Sequence, residues 1–201
     1  MEFDVLIIGG GAAGMSCALI LGSAGSKEFA KDKHVGIIMH QKTSHLQSAL
    51  FNNVLGIPAE TPGKVILEEG PKQLAERYPE VTQIQKEKVK EIISSDKTFK
   101  VITNKGIYSA KEIVVAVGYT NPFTIKGLEE YVIPHNKTKA SKDRIQLKNE
   151  DHLVKPGLYV AGTLSGSRSQ FAIACGSGAS VATDILSGWN GEHTKVHDKL
   201  T

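Results

Sequence analysis

Apolar residues along this chain fall into short, dense runs separated by glycines and polar stretches. Residues 3–8 form one such run, rich in β-formers and ended by glycines, which reads as a strand buried on both faces. Residues 12–24 keep a helical packing face through Met15, Ala18, Leu19, Leu21 and Gly22. A charged extension over 27–33 follows, and residues 34–40 are a second apolar strand. Strand, glycine turn, helix and strand make a βαβ unit, whose strands are parallel and whose crossover is right-handed.

Further on, residues 64–78 have helical spacing, with a break expected at Gly70-Pro71. Residues 81–84 read as a short strand at the sheet edge. Residues 88–94, 98–103 and 106–109 read as a small antiparallel set joined by polar turns. Residues 112–117 are a fully apolar strand ended by Gly118, and 158–161 are a last buried strand. Between them, residues 120–156 are polar and loop-rich, with some strand near 144–147. Residues 171–186 read as a long helix rich in Ala and Gly. The pattern is that of an α/β protein: one domain over 1–190, then a polar tail over 191–201 that is expected to fray.

Composition narrows the class. The chain has 201 residues, of which 40% are hydrophobic and 22% charged, enough for one globular domain. A net charge of +3 is too small to imply nucleic acid. The densest basic stretch, Lys137, Lys139, Lys142 and Arg144, is interrupted by Asp143 and interleaved by no aromatic residue, so it reads as a solvated loop. Cys17 and Cys175 stand far apart and outside CxxC spacing, which argues against a metal cluster or disulfide framework and fits a reducing cytoplasm. An acidic residue follows Met1 and the first apolar run ends in glycines, unlike a signal peptide. No apolar stretch is expected to reach the about 20 residues that span a bilayer. The expectation is a cytoplasmic protein with neither nucleic acid nor membrane as a partner.

The candidate chemistry begins at Gly9-x-Gly11-x-x-Gly14, which includes Ala12 and Ala13. Glycine-rich turns are common, but here a strand precedes, a helix follows and a second strand lies beyond, which is the context of a dinucleotide site. The glycines let backbone approach a pyrophosphate, and the helix N-terminus offers it free N–H groups and partial positive charge. The usual companion is an acid at the end of the second strand, on a ribose hydroxyl. Asp32 is 18 residues past Gly14 but precedes that strand, so it lies at the wrong end of the sheet. His40 or Gln41, at the right end, can bond the ribose more weakly than a carboxylate would. Two other buried strands end in glycine, at Ala116-Val117-Gly118 and Ala161-Gly162-Thr163. All three strand ends are expected on one edge of one sheet, where doubly wound folds bind ligands.

The segments IIGGGAAG, VVAVGYTNP, GLYVAGT and QFAIACGSGASVA, in that order, resemble the FAD domain of the thioredoxin-reductase-like pyridine nucleotide-disulfide oxidoreductases. The stretch from Asn52 to Gly56 is similar to that family's asparagine-and-glycine segment. The resemblance implies FAD as cofactor and a Rossmann-like three-layer ββα domain with a central parallel sheet and a small antiparallel sheet. It also implies roles. Asn53 would lie near the ribityl chain, Val89 would offer backbone to the adenine, and Ala116 and Gly118 would lie by the pyrophosphate. Gln170, Phe171 and Ala172 would set a helix N-terminus at the pyrimidine edge of the isoalloxazine ring. His45 falls in the segment that approaches the flavin in relatives, although a surface histidine is the simpler reading.

Three departures shape the functional expectation. Thr163 stands where the family has an aspartate, so a ribityl contact loses its charge. Only roughly 37 residues, 119–155, join the second and third glycine-ended strands; they replace the family's NAD(P)H domain, since one βαβ unit alone takes about 30. No redox-active CxxC is present. Cys17 reads as core and Cys175, one helical turn past the flavin-edge segment, as packing. The favoured reading is a minimal FAD-dependent oxidoreductase, reduced by a separate electron-donor protein or a diffusible reductant, with no catalytic side chain of its own. A flavoprotein that turns nothing over, such as a redox sensor or a subunit of a larger complex, is the alternative. A third reading replaces FAD by NAD. A homodimer is expected, because losing a domain exposes surface that the pair once buried.

Overall fold

A first strand covered on both faces decides where every other element packs. A computed structural model describes residues 1–40 and 44–197 of the chain. β1 (Glu2–Ile8), α1 (Ala12–Ser23) and β2 (Val35–Met39) form the expected βαβ unit, with β1 and β2 parallel. A short 3-10 helix (His45–Ser48) and the two-residue pair β3 (Leu50–Phe51) and β4 (Thr61–Pro62) lead into α2 (Gly63–Arg77). β5 (Thr82–Gln85) joins β2 at the sheet edge. β6 (Val89–Ser94), β7 (Phe99–Thr103) and β8 (Ile107–Val115) run antiparallel in succession, and β8 then lies parallel to β1. β9 (Val132–Pro134) pairs with β10 (Ile145–Leu147). β11 (Leu153–Lys155) turns back on β12 (Leu158–Val160), and α3 (Phe171–Asn190) follows. The main sheet has the order β11-β12-β8-β1-β2-β5.

The period-two alternation of β1 splits the core in two. Val5 and Ile7 pack with Met15, Leu21, Val181 and Ile185 of the two helices. Phe3, Leu6 and Ile8 pack with Ile92, Phe99 and Val101 of the β6–β7 layer. Helices, parallel sheet and antiparallel strands therefore form the three layers that the sequence resemblance implies.

Four local readings need correction. Residues 106–109 and 112–117 belong to one strand, β8, which serves the antiparallel layer with its first half and the parallel sheet with its second. α2 runs unbroken through Pro71. The residue before a proline is pushed out of helical geometry by its Cβ, and Gly70 has none. The loop-rich stretch holds β9 and β11 as well as β10. The tail does not fray at once: Thr194 is buried, its N–H donates to Ser187 Oγ at 3.0 Å, and Asn190 Nδ2 donates to Thr194 Oγ1 at 2.9 Å. α3 also departs from expectation, being 20 residues long with a mean hydropathy of 1.2 over 18 of them, long and apolar enough by length and composition to cross a bilayer. Small Ala residues raise its hydropathy without forming a run of large apolar side chains. Its buried residues, Val181, Ala182, Ile185 and Leu186, belong to the helix-side core.

α1 and α3 meet backbone to backbone. A Cβ on Gly178 would fall on the carbonyl oxygen of Ala13, so the crossing exists only because that position is glycine. One residue earlier, Ser177 Oγ accepts from Gly162 N–H at 2.8 Å and ties α3 to the end of β12. At the far end of α3, Trp189 Nε1 donates to Glu112 Oε2 at 3.2 Å. Gly178→Ala is expected to destabilise the protein by about 3 kcal/mol, despite alanine's better helix propensity, as read by urea denaturation.

Burial raises the pKa of the Glu112 carboxyl, opposed by the Trp189 N–H and by Lys33. The folded state thus holds that proton more tightly than the unfolded chain does. Stability from this group is present below the unfolded pKa and is lost as pH rises through the folded one. Glu112→Gln is expected to melt above the wild type at pH 7 and together with it near about pH 4, measured by thermal denaturation at both values.

Candidate functional site

The C-terminal ends of β1, β2, β8 and β12 open on a cleft of about 650 Å³. Its floor is the turn between β1 and α1. Gly9 has φ +119°, and a Cβ there would fall on the carbonyl oxygen of Ala116. A Cβ on Gly14 would fall on the carbonyl oxygen of Gly9. These two glycines are demanded by the protein's own packing. Gly11 is different. Its φ of −82° and ψ of −168° suit any residue, and among the described residues a Cβ there would meet only Ser44 Oγ, at 3.9 Å. What glycine preserves at position 11 is open space over the cleft floor.

Two helices begin at this cleft. Gly11 caps α1 and Gln170 caps α3; neither makes a side-chain cap bond, and neither helix has an acidic residue in its first turn. Free N–H groups and the positive ends of two helix dipoles are therefore turned on the same space. Such a site attracts negative charge.

Of the residues expected from sequence, Gly9, Gly11, Ala12, Ala13, His40 and His45 line the cleft, as do Val89, Ala116 and Gly118. Gly162, Thr163, Gln170 and Phe171 line it too. Gly14 sits behind the wall, under the Gly9 carbonyl. Asn53, on the exposed loop between β3 and β4, is not part of the wall, and neither is Ala172. Gln41 lies outside the described residues.

Several wall residues have no counterpart in the sequence reading. Ser44, Leu46, Ala49 and Phe51 form one side, and Phe51 meets Phe171 with ring centroids 4.9 Å apart. Residues 121–125 form part of another. Glu87 supplies the acid that the end of β2 lacks. Its N–H donates to Met39 O at 3.3 Å, which brings it from the adjacent strand to that position. Its carboxylate already accepts from Thr103 Oγ1 at 2.6 Å and Tyr108 OH at 3.0 Å. No spacing rule from the glycine loop finds it, because β5 is far along the chain.

The cysteines are not on the wall. Burial pushes the Cys175 thiol up, against the pull of a hydrogen bond with Ser16, and Cys17 is wholly buried in the helix-side core. A thiol held protonated is a poor nucleophile. A second groove of about 890 Å³ lies between α2 and β5, lined by Leu67, Pro71, Thr82 and Gln83. It is more open, with no glycine floor and no helix N-terminus, so the cleft is the better ligand site.

The family described as pyridine nucleotide-disulphide oxidoreductase matches residues 3–178. The chain belongs to this family. Among solved structures, the thioredoxin reductase of Gloeobacter violaceus superposes on it with a TM-score of 0.77 at 15% identity, over 100% of this chain and 99% of that one. An oxidoreductase of Agrobacterium tumefaciens gives 0.71 at 17% identity, over 96% and 100%. A ferredoxin-flavin thioredoxin reductase of Clostridium acetobutylicum gives 0.69 at 16%, over 95% and 99%. At these identities the likeness is one of fold. No curated protein matches the chain in sequence.

Within this pyridine nucleotide-disulphide oxidoreductase, two loop glycines are expected to separate in their effects. Gly14→Ala destabilises by about 3 kcal/mol or more, whereas Gly11→Ala changes stability by less than about 1 kcal/mol, both measured by urea denaturation.

Proposed function

We propose that the chain binds FAD in this cleft and works as a minimal oxidoreductase, its flavin reduced by a separate partner or a diffusible donor. The observation that carries the reading is the meeting of two uncapped helix N-termini over a glycine floor with spare room at Gly11. That arrangement suits a dinucleotide with a pyrophosphate in the middle and a ring at one end. The N–H groups at the start of α1 hold the pyrophosphate. His40 faces the ribose, and Val89 and Lys88 border the adenine. The apolar pair Phe51 and Phe171, with the start of α3, borders the isoalloxazine ring. FAD, when bound, supplies two-electron redox chemistry at that ring. The start of α3 favours the negative charge of the reduced form. Thr163 offers a neutral hydroxyl to the ribityl chain.

No residue of the wall forms a dithiol or an acid–base pair with another. The chain's own side chains therefore bind, orient and exclude water. The Clostridium acetobutylicum relative is named for ferredoxin as well as flavin, which supports a protein donor. Two separate cysteines suit the cytoplasm.

Purified protein given FAD is expected to keep an absorption band at about 450 nm after desalting, with Gly11→Ala weakening FAD binding at least about tenfold at unchanged fold stability. A colourless protein that retains NAD instead would overturn the flavin reading. A flavin that no electron donor reduces faster than buffer would favour a sensor or structural subunit.

A further inference from the structure

The most basic stretch of the chain lies on the crossover between β8 and β12. Residues 135–148 carry Lys137, Lys139, Lys142, Arg144 and Lys148 against one acid, Asp143. The whole chain has a net charge of +3, so everything outside this segment is close to neutral. Among the described residues, ion pairs engage Lys31, Lys33, Lys72 and Lys111, none of which lies in the segment. Lys137, Lys139 and Lys142 are exposed.

This stretch is solvent-exposed, as its sequence suggests, but it is tied at several points to the cleft wall. Asn121 Nδ2 donates to both carboxylate oxygens of Asp143, at 3.0 and 2.9 Å, and occupies the segment's only acid. His135 is buried. Lys137 N–H donates to its Nδ1 at 3.1 Å, so Nε2 carries the proton and donates to the carbonyl of Thr163 at 3.1 Å. The Arg144 guanidinium lies over the Tyr119 ring, 5.2 Å from its centroid, and its Nε is buried with no hydrogen-bond acceptor. His45 meets the same ring edge-on at 5.6 Å. His45, Asn121 and Thr163 all belong to the cleft wall. The backbone that carries these cations is thereby anchored to the part of the cleft wall formed by Asn121 and Thr163.

Exposed apolar side chains stand near the Phe51–Phe171 part of the wall. Leu50 is 60% exposed, Leu55 103% and Ile173 42%. Leu50 and Ile173 flank the Phe51–Phe171 contact in sequence.

We infer that this rim is the docking face for a small acidic electron-transfer protein, which reduces the flavin directly. The inference rests on the FAD reading above. Apolar surface beside the redox end gives a transient complex its contact, and the cations steer an acidic partner to it. A diffusible small reductant has no use for such a rim. Single-stranded nucleic acid needs exposed rings for stacking, and Tyr119, the ring beneath these cations, is buried. Each docking passes one electron from a one-electron carrier, so two reduced carriers are oxidised for each FAD reduced, and one proton from solvent completes the anionic reduced flavin.

The test uses FAD-loaded protein and chemically reduced plant-type [2Fe–2S] ferredoxin as the probe, with bleaching of the flavin band followed by stopped flow. The second-order rate is expected to fall at least about tenfold between low salt and about 0.5 M salt. It should fall about as far in the double variant Lys139→Glu, Lys142→Glu, whose FAD content and rate of dithionite reduction stay unchanged. Lys31→Glu, at the opposite end of the sheet, should react as wild type does. Equal rates in the two charge-reversed variants would overturn the inference, as would a loaded wild type that ferredoxin does not reduce. A single-stranded oligonucleotide that binds through Lys139 and Lys142 more tightly than ferredoxin does would also overturn it. Protein that takes up no FAD fails before this assay and counts against the flavin reading instead.

Discussion

Backbone lying directly on backbone, at positions where a single Cβ would intervene, is the constraint on which this structure depends. Gly14 seats the first turn of α1 on the Gly9 carbonyl, Gly9 seats the glycine turn on the Ala116 carbonyl, and Gly178 seats α3 on the Ala13 carbonyl. Together these contacts draw β1, β8, α1 and α3 to one point. A cleft with two helix starts in its wall is the geometric result. Neither start is satisfied by a side-chain cap or an acid in its own turn. Uncapped N–H groups facing a cavity leave the helices less stable than capped ones, and an anionic ligand recovers that loss. Gly11, which no atom of the described residues crowds, is the position that reads as reserved for the ligand rather than for the fold.

The division of labour follows. The β1–α1 turn and the start of α3 form the grip, while the crossover from β8 to β12 forms the rim. His135, held in one tautomer, passes the position of that crossover to the Thr163 turn through a single hydrogen bond. The cysteines take no part, since both are held as thiols away from the wall. The chain belongs to the pyridine nucleotide-disulphide oxidoreductase family, and its most basic stretch lies on the crossover that borders the cleft.

Much of this is legible in the sequence, for a physical reason. Strands buried on both faces, such as β1, β2 and the end of β8, must be continuous apolar runs, and a glycine that ends such a run marks where backbone approaches backbone. The βαβ unit, the sheet edge that carries the cleft and most of the wall could be read that way. Features set by contacts between distant segments could not. Glu87 reaches the end of β2 only because β5 pairs with it. Asn53 is carried off the wall by the loop beyond β3. Pro71 stays helical because of its glycine neighbour. The basic loop is solvated, as its sequence reads, but its anchoring beside Tyr119, a ring well before it in the chain, is not legible there.

The central claim is that the two helix N-termini grip one FAD together. Amide chemical shifts followed by NMR during FAD titration test this most directly. The account predicts that the amides of Ala12 and Ala13 at the start of α1, and of Phe171 and Ala172 at the start of α3, shift with a single shared midpoint. Shifts confined to one helix start, or to the groove between α2 and β5, would contradict it.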